Sequence, residues 1–151
     1  MSIERDIQQT KRFRTDYQKL MVNLMFTSNR VAYQQGRALK VFDLTLPQYN
    51  VLRILRGQHP QPVTVNLIIE RMIDKMSNAS RIVDRLVKKD LVCRSACPGD
   101  RRAVDVLITE AGLKLLADID GEFEAWEAPY RKRLTAGEAG QLNELLDKMR
   151  G

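Results

Sequence analysis

Between Thr64 and Ile108 the spacing of apolar residues changes from helical to alternating, and no other feature of the sequence constrains the fold as much. Behind Thr64, a helix-capping residue, Val65, Ile68, Ile69 and Met72 fall at i, i+3, i+4 and i+7. A turn near Ile73-Asp74 then leads to a second helix, expected from about residue 75 to residue 89. Its apolar stripe is Ala79, Ile82, Val83 and Leu86, and Ser77, Arg81, Asp84, Arg85 and Lys88 fall on the other side. Beyond it the period drops to two. Residues 91–97 and 103–108 read as strands joined by a charged turn, Pro98-Gly99-Asp100-Arg101-Arg102. Two short helices across a tight turn, followed by a basic-tipped hairpin, make a winged helix-turn-helix. The expected fold class is therefore mainly α, an α+β winged helix.

The rest of the chain reads as helix. Residues 3–42 carry Phe13, Tyr17, Leu20, Met21 and Leu24 at helical spacing, with a kink or division expected at Thr27-Ser28-Asn29. Thr45-Leu46-Pro47-Gln48 reads as a capping box with its proline in the first turn, opening a helix to about Gly57. His59-Pro60-Gln61-Pro62 is a break. Thr109 should cap a helix over 110–128 that Pro129 ends, and Thr135-Ala136-Gly137-Glu138 a last one through Leu142, Leu145, Leu146 and Met149. The winged region, 45–109, has no spare sheet with which to cover these outer helices. Residues 1–44 and 110–151 are therefore expected to form a helical dimerisation region, making the protein a homodimer.

Charge is distributed unevenly. Residues 1–45 carry +4, residues 46–108 carry +5, and residues 109–151 carry −3. Eight basic side chains lie between Lys75 and Arg102 against three acidic ones, which points to a polyanion met by one face. The bland alternative is a soluble, modestly basic protein. No apolar run approaches the roughly 20 residues of a membrane helix. The N-terminus lacks the apolar stretch of a signal peptide, so a cytoplasmic protein without a membrane partner is expected.

Four segments in series resemble the MarR family, the multiple-antibiotic-resistance type of bacterial regulator. They are Leu44-Thr45-Leu46-Pro47-Gln48-Tyr49-Asn50-Val51-Leu52, Ser80-Arg81-Ile82-Val83-Asp84-Arg85-Leu86, Lys89-Asp90-Leu91-Val92-Cys93-Arg94, and Asp100-Arg101-Arg102-Ala103 continuing to Leu107-Ile108-Thr109-Glu110-Ala111-Gly112. The resemblance implies a dimeric winged helix on a roughly palindromic operator in double-stranded DNA. Such regulators are commonly repressors released by a small phenolic or other anionic effector, or by oxidation. Two positions depart from the pattern, with Asp90 and Ile73 standing where the family usually has glycine. The family's peroxide-sensing branch keeps a reactive cysteine near its N-terminus, and here none precedes Cys93.

Arg81 and Arg85, one turn apart, are candidates to read guanine O6 and N7 bidentately. The competing reading pairs Asp84 with Arg81 or Lys88 on a solvated face, worth a few tenths of a kcal/mol at about 0.2–0.5 per pair. Ser77, Asn78 and Ser80 in the first turn either meet phosphates and base edges or simply cap the helix. The resemblance implies that Arg102 enters the minor groove with Asp100 holding its guanidinium, and Arg101 is assigned to phosphate. A charged tip that only protects a sheet edge is the alternative. Tyr17, Tyr33, Phe42 and Tyr49, with Trp126, are candidates for an effector pocket, or else core.

Cys93 and Cys97 would sit roughly 13 Å apart on one strand at ~3.3 Å per residue, too far for a disulfide. They read as small apolar fillers, with a thiol-based redox switch as the alternative. A winged helix serving mainly protein–protein contact is a further alternative. No zinc-binding spacing, phosphate loop or nucleophile–base pattern is present, so neither a cofactor nor enzymatic activity is expected.

Overall fold

The alternating residues after Leu91 form a sheet whose middle strand is Asp100–Ile108. The computed structural model describes the backbone of residues 2–97 and 100–151, and the side chains of these except 96–97 and 100–103. It divides into two units, Met1–Leu46 and Pro47–Gly151.

In the second unit, β2 (Val92–Cys97) and β3 (Asp100–Ile108) pair antiparallel, with Val92 opposite Ile108 and Arg94 opposite Val106. A third strand, β1 (Val63–Thr64), pairs Val63 with Val106 on the other edge, giving the order β1-β3-β2. Two residues are too few to show a period, which is why β1 is silent in the sequence. Helix α3 (Leu46–Arg56) buries Val51, Leu52 and Leu55. Helix α4 (Val65–Arg71), capped by the Thr64 hydroxyl accepting from the Leu67 N–H, buries Ile68. Helix α5 (Ala79–Val87) buries Ala79, Val83 and Leu86. With Val63, Val106, Leu116 and Ile119 these side chains are the core, each large one contributing about 1.5–3 kcal/mol.

Helix α5 starts four residues later than its periodicity suggests. Asp74 accepts from the Met76 N–H (3.0 Å) and the Ser77 hydroxyl (2.6 Å), and its carbonyl accepts from the Ser77 N–H (3.4 Å). This local turn competes with helix and holds the chain until Asn78.

Beyond the sheet lie α6 (Glu110–Asp120), α7 (Phe123–Arg131) and α8 (Ala136–Arg150). The single helix expected over 110–128 is thus broken at Gly121-Glu122, and Pro129 lies inside α7 instead of ending a helix. Gly121 is a weak helix former, and the Glu122 N–H tightens back to Ile119 O (3.0 Å). Thr109 seats α6. Its hydroxyl donates to Asp90 O (2.7 Å) and accepts from the Gly112 N–H (3.1 Å). Gly112 packs so closely that an added Cβ would lie 2.3 Å from Leu91 O. Arg56 and Asp120 join α3 to α6 through a two-armed ion pair (2.6 and 3.3 Å). Thr135 and Glu138 form the expected capping box of α8, whose apolar Leu142, Leu145 and Met149 are exposed.

The first unit holds a one-turn α1 (Ile3–Asp6), α2 (Asp16–Leu39) and a 3₁₀ turn, Lys40–Phe42. Residues 3–42 are therefore not one helix. Gln8 takes a left-handed φ of 53°, and Thr15 starts afresh by accepting from the Gln18 N–H (3.1 Å). Nor does Thr27-Ser28-Asn29 divide α2, because the Thr27 hydroxyl donates to the Asn23 side chain (3.3 Å) instead of competing for the backbone. A Lys19–Glu4 ion pair (2.7 Å) holds α1 on α2. Across the 24 residues of α2 only Leu39 is buried.

Candidate nucleic-acid interface

The polar side of α5 is built by its neighbours. At its N-terminus Asn78 accepts from the Arg81 N–H (3.0 Å), so this residue caps the helix and keeps its amide donors for other partners. Ser77 is bonded to Asp74, while Ser80, Arg81 and Arg85 are exposed opposite the buried stripe. The unpaired N–H groups of a helix start favour an anion.

Asp84 does not do what its position on the helix suggests. It pairs with Arg94 of β2 (Nη1 to Oδ1, 2.6 Å), and the other arm of Arg94 donates to Ser80 O (3.3 Å). An exposed ion pair contributes only about 0–1 kcal/mol, so its larger effect is on which charges remain available. Among the described residues neither Arg81 nor Arg85 has an acidic partner. Arg94 escaped the sequence reading, which weighed only same-helix partners for Asp84. The usable signal was a basic residue within the strand that follows α5.

Glycine is not needed at Ile73, because the chain leaves α4 in extended conformation at Met72 (ψ 138°). Asn50 accepts from the Ile73 N–H (3.0 Å), and Lys75 Nζ donates to the terminal α4 carbonyls of Ile69 (3.2 Å) and Glu70. Asp90, by contrast, does adopt the left-handed conformation that glycine would favour (φ 57°), while the Leu91 N–H returns to Leu86 O (3.1 Å). The Ser77 hydroxyl and the Met76 N–H hold the Asp74 carboxyl below its ordinary pKa of 3.8.

The β3 backbone carries Asp100, Arg101 and Arg102 at its start, but their side chains, with Pro98 and Gly99, lie outside the described residues. Cys93 is a free, exposed thiol on β2, and the Cys97 side chain is likewise outside the described set.

Of the aromatic candidates, Tyr49 is buried and its hydroxyl has no hydrogen-bond partner among the described residues. Trp126 meets it edge-on at 6.1 Å, Phe123 lies 5.5 Å from Trp126, and the Arg53 guanidinium sits 5.8 Å over the Tyr49 ring. Burial raises the Tyr49 pKa above 10, opposed by the charge of Arg53. Tyr17 and Tyr33 are exposed, and their 16-residue separation on α2 places them about 24 Å apart, beyond the span of one small ligand within one chain. Phe42 is half-buried.

Residues 44–104 match the model of the MarR family. The transcriptional repressor IacR of Pseudomonas putida is 30% identical over 118 residues, which span 78% of this chain and 70% of that protein. A mutant MarR from E. coli complexed with operator DNA superposes with a TM-score of 0.81 at 24% identity, covering 92% of this chain and 99% of that one. BpsR of Bordetella bronchiseptica, solved in a study of the regulation of its DNA binding by 6-hydroxynicotinic acid, gives 0.74 at 22% identity, covering 88% and 99%. At these identities the two structures speak for the fold.

Proposed function

The chain belongs to the MarR family, DNA-binding winged helices that regulate transcription, and from that premise we propose a homodimeric repressor of a roughly palindromic operator, released by a small phenolic or anionic effector. The observation that carries the reading is the pairing of Asp84 with Arg94, which leaves Arg81 and Arg85 on the exposed side of α5 without an acidic partner among the described residues. In a helix-turn-helix that side enters the major groove. Arg81 and Arg85 then read guanines, with Ser77, Asn78 and Ser80 on phosphates or base edges. Arg101 meets phosphate, and Arg102, steadied by Asp100, enters the minor groove.

The exposed apolar residues of α2 and α8 support a second copy as partner. Repression follows the name of the Pseudomonas relative, and an aromatic acid as effector follows that of the Bordetella one. Tyr49 adds a buried hydroxyl without a partner among the described residues, beside Arg53 and Trp126, a setting that suits a ligand carrying both a ring and an acid. A thiol switch is supported less, since Arg94, the cation next to exposed Cys93 in the chain, is already paired with Asp84.

Selection of bound sequences from a random duplex pool tests the reading. Enrichment of a near-palindromic duplex is expected. A pool without enrichment, or salt-insensitive binding to random DNA, would favour a winged helix that contacts proteins.

A further inference from the structure

The two most exposed large apolar side chains among the described residues are Met76 (93%) and Ile73 (88%), both in the turn that leads into α5. Exposed apolar residues are common on loose loops. This turn is anchored, with Asn50 on the Ile73 N–H, the Asp74 carboxylate bridging Met76 and Ser77, and Lys75 tied to the end of α4. Met76 occupies a corner of the turn closed by the Ser77 N–H on Asp74 O, so an ordered backbone holds its side chain out into solvent. It stands two residues before the cap Asn78, at most about 7.6 Å away between Cα atoms.

The occupant follows from chemistry. A thioether chain cannot bond phosphate, and the major groove offers one apolar group, the 5-methyl of thymine. Methionine adapts its shape to such a surface. We infer that Met76 packs on a thymine 5-methyl beside the bases read by Arg81 and Arg85, and so contributes to operator preference. The inference rests on the DNA-binding reading above.

The test uses the full-length protein and the duplex enriched from the random pool, with each thymine replaced in turn by deoxyuridine, which lacks the methyl. Wild type should lose about fourfold in affinity at one or two positions per half-site. Met76→Ala should bind the thymine duplex about fourfold more weakly and be indifferent to the methyl at those positions. Arg85→Ala should keep the methyl sensitivity. The melting temperature of Met76→Ala should equal that of wild type, because the side chain is exposed. Wild-type indifference at every thymine, or undiminished sensitivity in Met76→Ala, overturns the inference and leaves the side chain for a protein partner. A pool with no enriched duplex overturns the DNA-binding reading, and this inference falls with it.

Discussion

Helices α5 and α8 are both amphipathic, yet among the described residues only α5 buries its apolar stripe. The nine residues of α5 bury Ala79, Val83 and Leu86 and turn charge outward, whereas the fifteen of α8 bury none and leave Leu142, Leu145 and Met149 exposed. Helix α2 resembles α8 in this respect. An apolar stripe therefore says that a face wants covering, without saying whether the cover is the same chain. In the winged region the sheet and neighbouring helices supply it. For the outer helices we propose a second copy.

That contrast is open to attack. The largest effects belong to the winged core. Leu86→Ala should cost about 2–5 kcal/mol, since the leucine is fully buried. Gly112→Ala should cost about 1–3 kcal/mol, because its Cβ would lie 2.3 Å from the Leu91 carbonyl, which accepts from the Thr109 N–H. Denaturant titration should give both losses at any protein concentration.

Leu145→Asp on α8 should behave differently. We expect it to shift the dimer equilibrium by about 1–3 kcal/mol, seen in sedimentation as monomer at micromolar protein, with a melting temperature that depends on concentration. A Leu86-like loss at nanomolar protein would place α8 in the chain's own core and erase the contrast.

Arg94→Ala sharpens the comparison within the winged region. Stability should fall by less than about 1 kcal/mol. Operator affinity should fall several-fold, because freed Asp84 is then available to Arg81 and Lys88 on its own helix. The double variant Arg94→Ala/Asp84→Ala should regain most of that affinity in the same binding assay.

Acid has the smallest effect, and it touches both regions. Asp74 before α5 and Glu138 in the α8 capping box are both held below their ordinary pKa by backbone and hydroxyl donors. Each contributes stability above its unfolded pKa that is lost as pH falls through the lower folded value. Carboxyl chemical shifts should show both titrating below 3.8 and 4.5 respectively, and Asp74→Asn should remove the first transition.

Sequence periodicity located the winged region because its stripes face a cover that lies in the same segment. It also found the Thr64, Thr109 and Thr135 caps, each of which is a contact over three residues. It missed what depends on partners farther along the chain or on local turns that outbid a helix. Arg94 reaches Asp84 across ten residues, β1 exists only because β3 offers it an edge, and the Asp74 turn delays α5. Helix breaks at Gln8 and Gly121 were hidden because apolar spacing continues on either side of them. In the candidate site the exposed position of Arg81 and Arg85 was legible from the helical period, whereas the pairing of Asp84 with Arg94 was not.

DNA reading by α5 is tested most directly by a single ratio, the affinity for the enriched duplex over that for a scrambled one at fixed salt. It should be measured for wild type and for Arg81→Ala/Arg85→Ala. We expect the ratio to collapse toward one in the double variant, while weak salt-dependent binding and the melting temperature persist. A double variant that keeps the wild-type ratio would contradict the assignment of α5 as the reading element.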